Sequence, residues 1–109
     1  MDVVSISRLG ERQLAVAATA DGGRGSVTLY GRTGARLRQT VVALSAGRVM
    51  AEHKSPGDAS VLCLQGRVVL RAGESRAELT AGELVALPPQ RHEIEALEPS
   101  VLLLTIALH

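Results

Sequence analysis

Aromatic residues are almost missing from this chain of 109 residues, which contains one tyrosine, Tyr30, and no phenylalanine or tryptophan. Hydrophobic residues nevertheless make up 46% of the sequence, so the core has to be built from valine, leucine, isoleucine and alanine. That composition favours strands at least as much as helices. The shortage also argues against a ligand that stacks on flat rings.

Cysteine and long apolar runs are scarce as well. Cys63 is the single cysteine, which excludes an internal disulfide and a cysteine-rich zinc site. No apolar run is long enough to cross a membrane, and the first residues, MDVVSISRLGE, lack the basic and then apolar pattern of a signal peptide. We therefore expect a cytoplasmic protein that makes no membrane contact.

Acidic residues are absent between Asp21 and Glu52, although this stretch contains several arginines: Arg24, Arg32, Arg36, Arg38 and Arg48. They could form a face that binds anions or nucleic acid. Alternatively, the basic and acidic halves of the chain interleave and pair their charges across strands. The second interpretation is favoured, and nucleic acid is not an expected partner, because stacking aromatics and a helix-turn-helix pattern are missing.

Short runs of strand-forming residues recur about every eight to twelve residues, with glycine and proline turns between them, as in a sandwich or barrel. Residues 1–6 are predicted to form a short edge strand. The segment SRLGERQLAVAATA favours a helix, with Ser7 as a possible N-cap. DGGRGS, at residues 21–26, is a connector. We therefore expect a strand, a helix and a linker at residues 1–24, followed by an all-β domain at residues 25–109.

The last predicted strand, VLLLTIAL, is apolar on both faces. One face fills the interior, so the other has to be covered by the N-terminal helix or by a partner subunit. A homodimer is therefore expected.

Two stretches that begin with glycine each place a histidine on or beside a predicted strand. The first runs from Gly47 through His53 to Gly66, and the second runs from Gly82 to His92. The spacing of these residues and strands resembles the two sequence motifs of the cupin family. The resemblance implies a small cupin barrel, also called a double-stranded β-helix or jelly roll, with a short N-terminal helix and both histidines at its mouth.

Several positions depart from the family pattern. Ser55 and Ala59 stand where the first motif has a histidine and a glutamate, and Gln90 replaces a glycine of the second. A full cupin site looks like three histidines and one glutamate around zinc, iron, manganese or nickel. Only His53 and His92 match that set.

A metal site would need a carboxylate beside the two histidines, because a non-haem iron site uses two histidines and one carboxylate. Asp58 is the candidate, since it lies in the predicted turn KSPGD and could fold into the mouth. Glu52 and Glu93 each adjoin a histidine in a strand and are expected to point to the opposite side. The possible metal ligands are therefore His53, Asp58 and His92.

The alternative is a barrel without metal. Its histidines would hydrogen bond to Ser55, Gln90 or the backbone and could donate or accept protons. Cys63 has the strand parity of an interior residue and more often serves as a small core residue than as a nucleophile. Gln65 shares that parity and could place its amide in the same cavity. The expected pocket residues are therefore His53, Ser55, Cys63, Gln65, Gln90 and His92.

Two functions from different classes follow. In the first, the barrel binds a small molecule without catalysis, and the missing metal ligands favour this hypothesis. In the second, the protein is a metal-dependent oxygenase, isomerase or lyase that uses His53, Asp58 and His92, or a metal-independent enzyme in which one histidine is both acid and base. The fold does not choose between them.

Overall fold

The computed structural model describes residues 1–52 and 57–108, with the side chain of Glu52 excepted. In this part of the chain one helix is followed by strands in an almost unbroken series, which confirms the predicted all-β barrel with a short N-terminal helix. The elements are α1 Ile6–Thr19, β1 Arg24–Tyr30, β2 Leu37–Leu44, β3 Val49–Glu52, β4 Gly57–Gln65, β5 Arg67–Ala72, β6 Ser75–Thr80, β7 Leu84–Ala86, β8 His92–Ala96 and β9 Ser100–Leu108.

The strands form two antiparallel sheets that face each other. The first has the order β1-β2-β9-β4-β7 and the second has the order β3-β8-β5-β6. Aliphatic side chains from both sheets fill the space between them, and the largest fully buried ones include Leu44, Met50, Ile94 and Leu102. Alternation along each strand selects these residues, because every second side chain points to the same face.

Helix α1 covers the outer face of the first sheet. Ser5, and not the predicted Ser7, is its N-cap, and the Ser5 side chain accepts a hydrogen bond from the Arg8 N–H at 3.4 Å. Residues 1–5 form no strand, so the predicted edge strand is wrong. The helix lies close to β9 at Gly10, where an added Cβ would lie 3.1 Å from Val101 Cγ1. No helix among residues 1–52 and 57–108 is long and apolar enough to cross a membrane.

The last strand, β9, is apolar on both faces for two separate reasons. Leu102 faces the interior of the barrel, whereas Val101 and Leu103 pack in the cluster beneath α1 that also contains Ala17 and Val41. Helix α1 therefore covers the outer face of β9. This is one of the two alternatives that the sequence predicted.

Ion pairs concentrate on the outer face of the second sheet. Arg71 binds Glu95 at 2.8 Å and Glu93 at 3.5 Å, and Arg67 binds Glu78 at 2.8 Å. Every ion pair seen among the described residues lies within residues 67–95. The favoured pairing between the basic and acidic halves of the chain is therefore not found there.

Candidate functional site

His92 is the first residue of β8 and lies inside the barrel. It shares strand parity with Ile94 and Ala96, which are both in the interior cluster, whereas Glu93 and Glu95 point outward. The two prolines of PPQR keep the preceding residues out of a ladder, so regular pairing begins only at His92. As a result a histidine residue that is only 5% exposed stands at the end of an aliphatic interior.

The hydrogen bonds of this ring define its tautomer. His92 Nδ1 lies 3.0 Å from the backbone carbonyl oxygen of Gln90. A carbonyl only accepts hydrogen bonds, so Nδ1 carries the hydrogen and donates it. In the neutral ring Nε2 then holds a lone pair, and this atom is buried without a hydrogen-bond partner among the described residues. The barrel therefore contains a buried acceptor that no donor in the described part of the chain satisfies.

Gln90 positions this histidine. Its backbone carbonyl receives the His92 hydrogen, while its side-chain amide donates to the Ala72 carbonyl at 3.3 Å and so ties the loop to the end of β5. Gln90 was predicted as a pocket residue, and its side chain is instead exposed. It orients the histidine through the main chain.

A small cavity of about 160 Å³ opens at the same end of the barrel, beside the end of β5 and the loop that leads to β8. Its lining is mostly aliphatic, with one serine and one arginine, and does not include His92. It consists of Leu70, Ala72, Ser75, Arg76, Ala77, Val85, Ala86 and Pro88. A space of this size suits a molecule of few heavy atoms, because pockets for drug-sized ligands measure about 300–1,000 Å³.

Cys63 faces the interior but lies far from His92. Its sulfur donates to the carbonyls of Gln65 at 3.5 Å and Gly66 at 3.7 Å, beside the start of β5. His92, in β8, lies beside the end of β5. Along β8, four residues separate the level of His92 from the level of Cys63, which corresponds to about 13 Å. Burial raises the pKa of the Cys63 thiol, which keeps it protonated and weakly nucleophilic. Cys63 therefore acts as a core residue.

Two predicted site residues lie outside the barrel. Asp58 belongs to β4 and not to a turn; it is exposed and has the opposite parity to the interior residues Val61 and Cys63. Gln65 is also exposed and lines a groove beneath the start of α1, because a register shift in the pairing of β4 with β9 between Cys63 and Gln65 reverses the expected alternation. Neither position agrees with the predicted role in the pocket.

Glu52 lies nearer to His92 than the sequence suggested. Strand β3 pairs with β8 so that the Cα of Glu52 is the partner of the Cα of His92. Glu52 had been set aside because it adjoins His53 in the sequence, but antiparallel register brings its backbone beside the other histidine. His53 and Ser55, which were predicted pocket residues, lie outside the described residues.

Solved structures resemble this barrel closely. A conserved protein of unknown function from Streptococcus pyogenes is 27% identical, with a TM-score of 0.73 over 83% of this chain and 78% of that chain. A cupin superfamily protein from Desulfitobacterium hafniense is 18% identical, with a TM-score of 0.74 over 86% of this chain and 88% of that chain. The chain has the cupin fold.

Other similar cupin structures include an enzyme. Salicylate 1,2-dioxygenase from Pseudoaminobacter salicylatoxidans is 16% identical, with a TM-score of 0.75 over 92% of this chain but only 32% of that chain. No family model matches the sequence, and no curated protein matches it significantly. The structures thus agree on the cupin fold and differ in function.

The cupin fold implies a transition metal held by histidine and carboxylate side chains. Over the described residues no group of three histidine, cysteine, aspartate or glutamate side chains is placed to hold an ion. His92 has the tautomer of a metal ligand, with Nδ1 bound to a backbone carbonyl and Nε2 available. Asp58, the expected carboxylate, lies on the outer face. The described part of the chain therefore does not supply a complete ligand set.

Proposed function

We propose that this cupin barrel binds a small, mainly apolar molecule at its mouth, and that the molecule donates a hydrogen bond to His92 Nε2. The observation that supports this is the buried Nε2 atom, which has no partner among the described residues. A buried acceptor left unsatisfied costs about 1–3 kcal/mol. A ligand that supplies the missing donor recovers this cost when it binds.

The lining and the tautomer together limit the ligand class. The cavity at this end of the barrel is mostly aliphatic, and no aromatic side chain lines it to stack on a flat ring. The lone pair on Nε2 favours an alcohol, amine or amide over a carboxylate, whose oxygens only accept hydrogen bonds. A short aliphatic alcohol is the simplest compound with both properties.

The test uses butan-1-ol, with butanoate as the matched acceptor-only compound. In ¹⁵N-resolved NMR titrations of the full chain we expect butan-1-ol to shift the amide signals of His92, Ala72 and Val85 with millimolar affinity, as is usual for so small a fragment. Butanoate should bind more weakly. His92→Phe should abolish the shifts, whereas His92→Gln, which places an amide oxygen near Nε2, should retain part of the binding.

If butan-1-ol shifts the same signals in His92→Phe as in the wild type, Nε2 does not contribute to binding. If the shifts instead cluster around the groove under α1, the site lies elsewhere.

Catalysis is the second candidate function, since an Nε2 lone pair in a dry site is also suited to accept a proton or to bind a metal. Elemental analysis of the purified protein tests the metal-dependent form of this candidate. A stoichiometric transition metal that is lost in His92→Ala would support a metal-dependent enzyme and would contradict binding without metal. In its absence, binding remains the favoured function.

A further inference from the structure

The arginines of residues 22–51 are all exposed, and none of them makes an ion pair among the described residues. They are Arg24, Arg32, Arg36, Arg38 and Arg48. Within residues 1–52 and 57–108, the one polar contact seen for their side chains is between Arg48 Nη2 and the Asp21 carbonyl oxygen at 3.4 Å. In the part of the chain that the structure describes, which leaves out the Glu52 side chain, no acidic side chain pairs with these arginines, and we infer that their charge is available to a partner.

These arginines stand at the two ends of strand β1. Arg24 begins the strand, and the Arg48 side chain packs against the neighbouring Gly23, where an added Cβ would lie 2.6 Å from Arg48 Cγ. Arg38 lies at the other end, 3.9 Å from a Cβ placed on Gly31. Arg32 and Arg36 lie in the loop between β1 and β2. The length of β1 separates the two groups by about 20 Å.

Strand β1, which lies between the two groups of arginines, has a polar exposed face and forms an edge of the first sheet. Ser26 and Thr28 are exposed and alternate with the residues that pack beneath α1. Strand β1 pairs with β2 on one side, and no described strand pairs with its other side. Such an edge presents backbone N–H and C=O groups that can pair with another strand.

We propose that the free edge of β1 and the arginines at its ends form a docking surface for an acidic, extended segment of another protein. The segment adds to the sheet as a further strand, and its carboxylates meet the arginines at both ends. Backbone pairing supplies affinity, and the separated charges set the register of the segment.

Nucleic acid fits this surface less well. Each strand of a DNA duplex carries a phosphate about every 3.4 Å along the helix axis, whereas the arginines here form two groups with hydroxyl side chains between them. Stacking platforms are also missing, since Tyr30 is the only aromatic residue in the sequence.

The probe is an acetylated and amidated fluorescent peptide of the sequence Glu-Glu-Thr-Val-Thr-Glu-Glu, and binding to the full chain is followed by fluorescence anisotropy at low salt. The charge test is R24E/R38E. Its matched control is R8E/R12E, which makes the same change of charge at exposed positions of α1. The backbone test is the same peptide with alternate amides N-methylated. A thymidine oligonucleotide of similar net charge tests the other class of partner.

We expect the peptide to bind, R24E/R38E to weaken binding about tenfold or more, and R8E/R12E to weaken it less than about threefold, since those charges belong to α1 and do not stand at the ends of β1. The N-methylated peptide should lose most of the affinity because it cannot pair with β1. All four substituted side chains are exposed, so circular dichroism should show unchanged folding.

Four results would overturn the proposal. They are no measurable binding of the peptide at low salt, equal losses in R24E/R38E and R8E/R12E, undiminished binding of the N-methylated peptide, and tighter binding of the oligonucleotide than of the peptide. Equal losses in the two double variants would mean that net charge alone drives binding. Tighter binding of the oligonucleotide would assign the surface to nucleic acid.

Discussion

Replacing His92 by phenylalanine should leave the protein as stable as the wild type or make it more stable. This is an unusual expectation for a buried position, because most substitutions destabilise a protein, typically by about 1 kcal/mol. The reason lies in the hydrogen bonds of the ring. Nδ1 has one partner, the Gln90 carbonyl, whereas Nε2 is buried with none among the described residues.

The magnitude follows from these two atoms. Removing the unsatisfied acceptor recovers about 1–3 kcal/mol, and losing the Nδ1 hydrogen bond costs about 0.5–1.5 kcal/mol. Gln90 is exposed, so its carbonyl can bind water after the substitution. We therefore expect His92→Phe to change the free energy of unfolding by about 0 to +2 kcal/mol.

Urea denaturation of wild type, His92→Phe and His92→Asn measures this effect, provided that the three proteins share the same m-value. His92→Asn keeps a donor near the Gln90 carbonyl but leaves a void, so it should be less stable than the wild type by about 1–3 kcal/mol. If His92→Phe lost more than about 2 kcal/mol at an unchanged m-value, Nε2 would have a partner in the folded protein and the argument for a ligand-binding acceptor would fail.

Two further predictions concern the opposite end of the barrel. Gly66→Ala should lower the free energy of unfolding by about 3 kcal/mol or more, because Gly66 has φ +88 and an added Cβ would overlap Pro99 O and Ser100 Oγ. Gly82→Ala is the matched control: Gly82 has φ +87 but open space around it, so this substitution should cost only about 1–2 kcal/mol. Equal losses in urea melts would contradict the overlap. Because burial raises the pKa of Cys63, the unfolded chain releases the thiol proton first, so stability should fall as pH rises above the ordinary value of 9.0. This alkaline fall should be smaller in Cys63→Ala, and native Cys63 should resist thiol reagents at neutral pH.

The regular alternation of strand-forming runs with turns made the fold predictable. The turns marked by Gly66, Gly73 and Gly82 are required locally, because each of these residues has a positive φ that other residues rarely adopt. The aliphatic runs between turns could bury a face only as strands. The start of α1 was misjudged by two residues, since Ser5 and Ser7 are equally suitable caps in sequence terms and the packing of Ile6 against the sheet selects the earlier one.

The site was less predictable than the fold. The side of the strand predicted for Gln65 does not agree with the structure, because a register shift in β4 cannot be seen in the sequence. Asp58 was assigned to a turn because the proline and glycine before it suggest one, but it belongs to β4. The position of Glu52 was missed for a related reason, since its pairing with His92 joins residues 40 apart in sequence. The ligand, the homodimer, the cytoplasmic location and the domain boundary stay predictions.

The sequence by itself determined the all-β class, the turns and the aliphatic core, because these depend on local backbone preferences and on the alternation of neighbouring side chains. Tertiary structure decided which of the candidate polar groups face the interior. It buried His92, paired its Nδ1 with a backbone carbonyl, and kept Asp58 and Gln65 outside. Such outcomes depend on the register between strands that are distant in the chain, and register is set by the packing of the whole barrel.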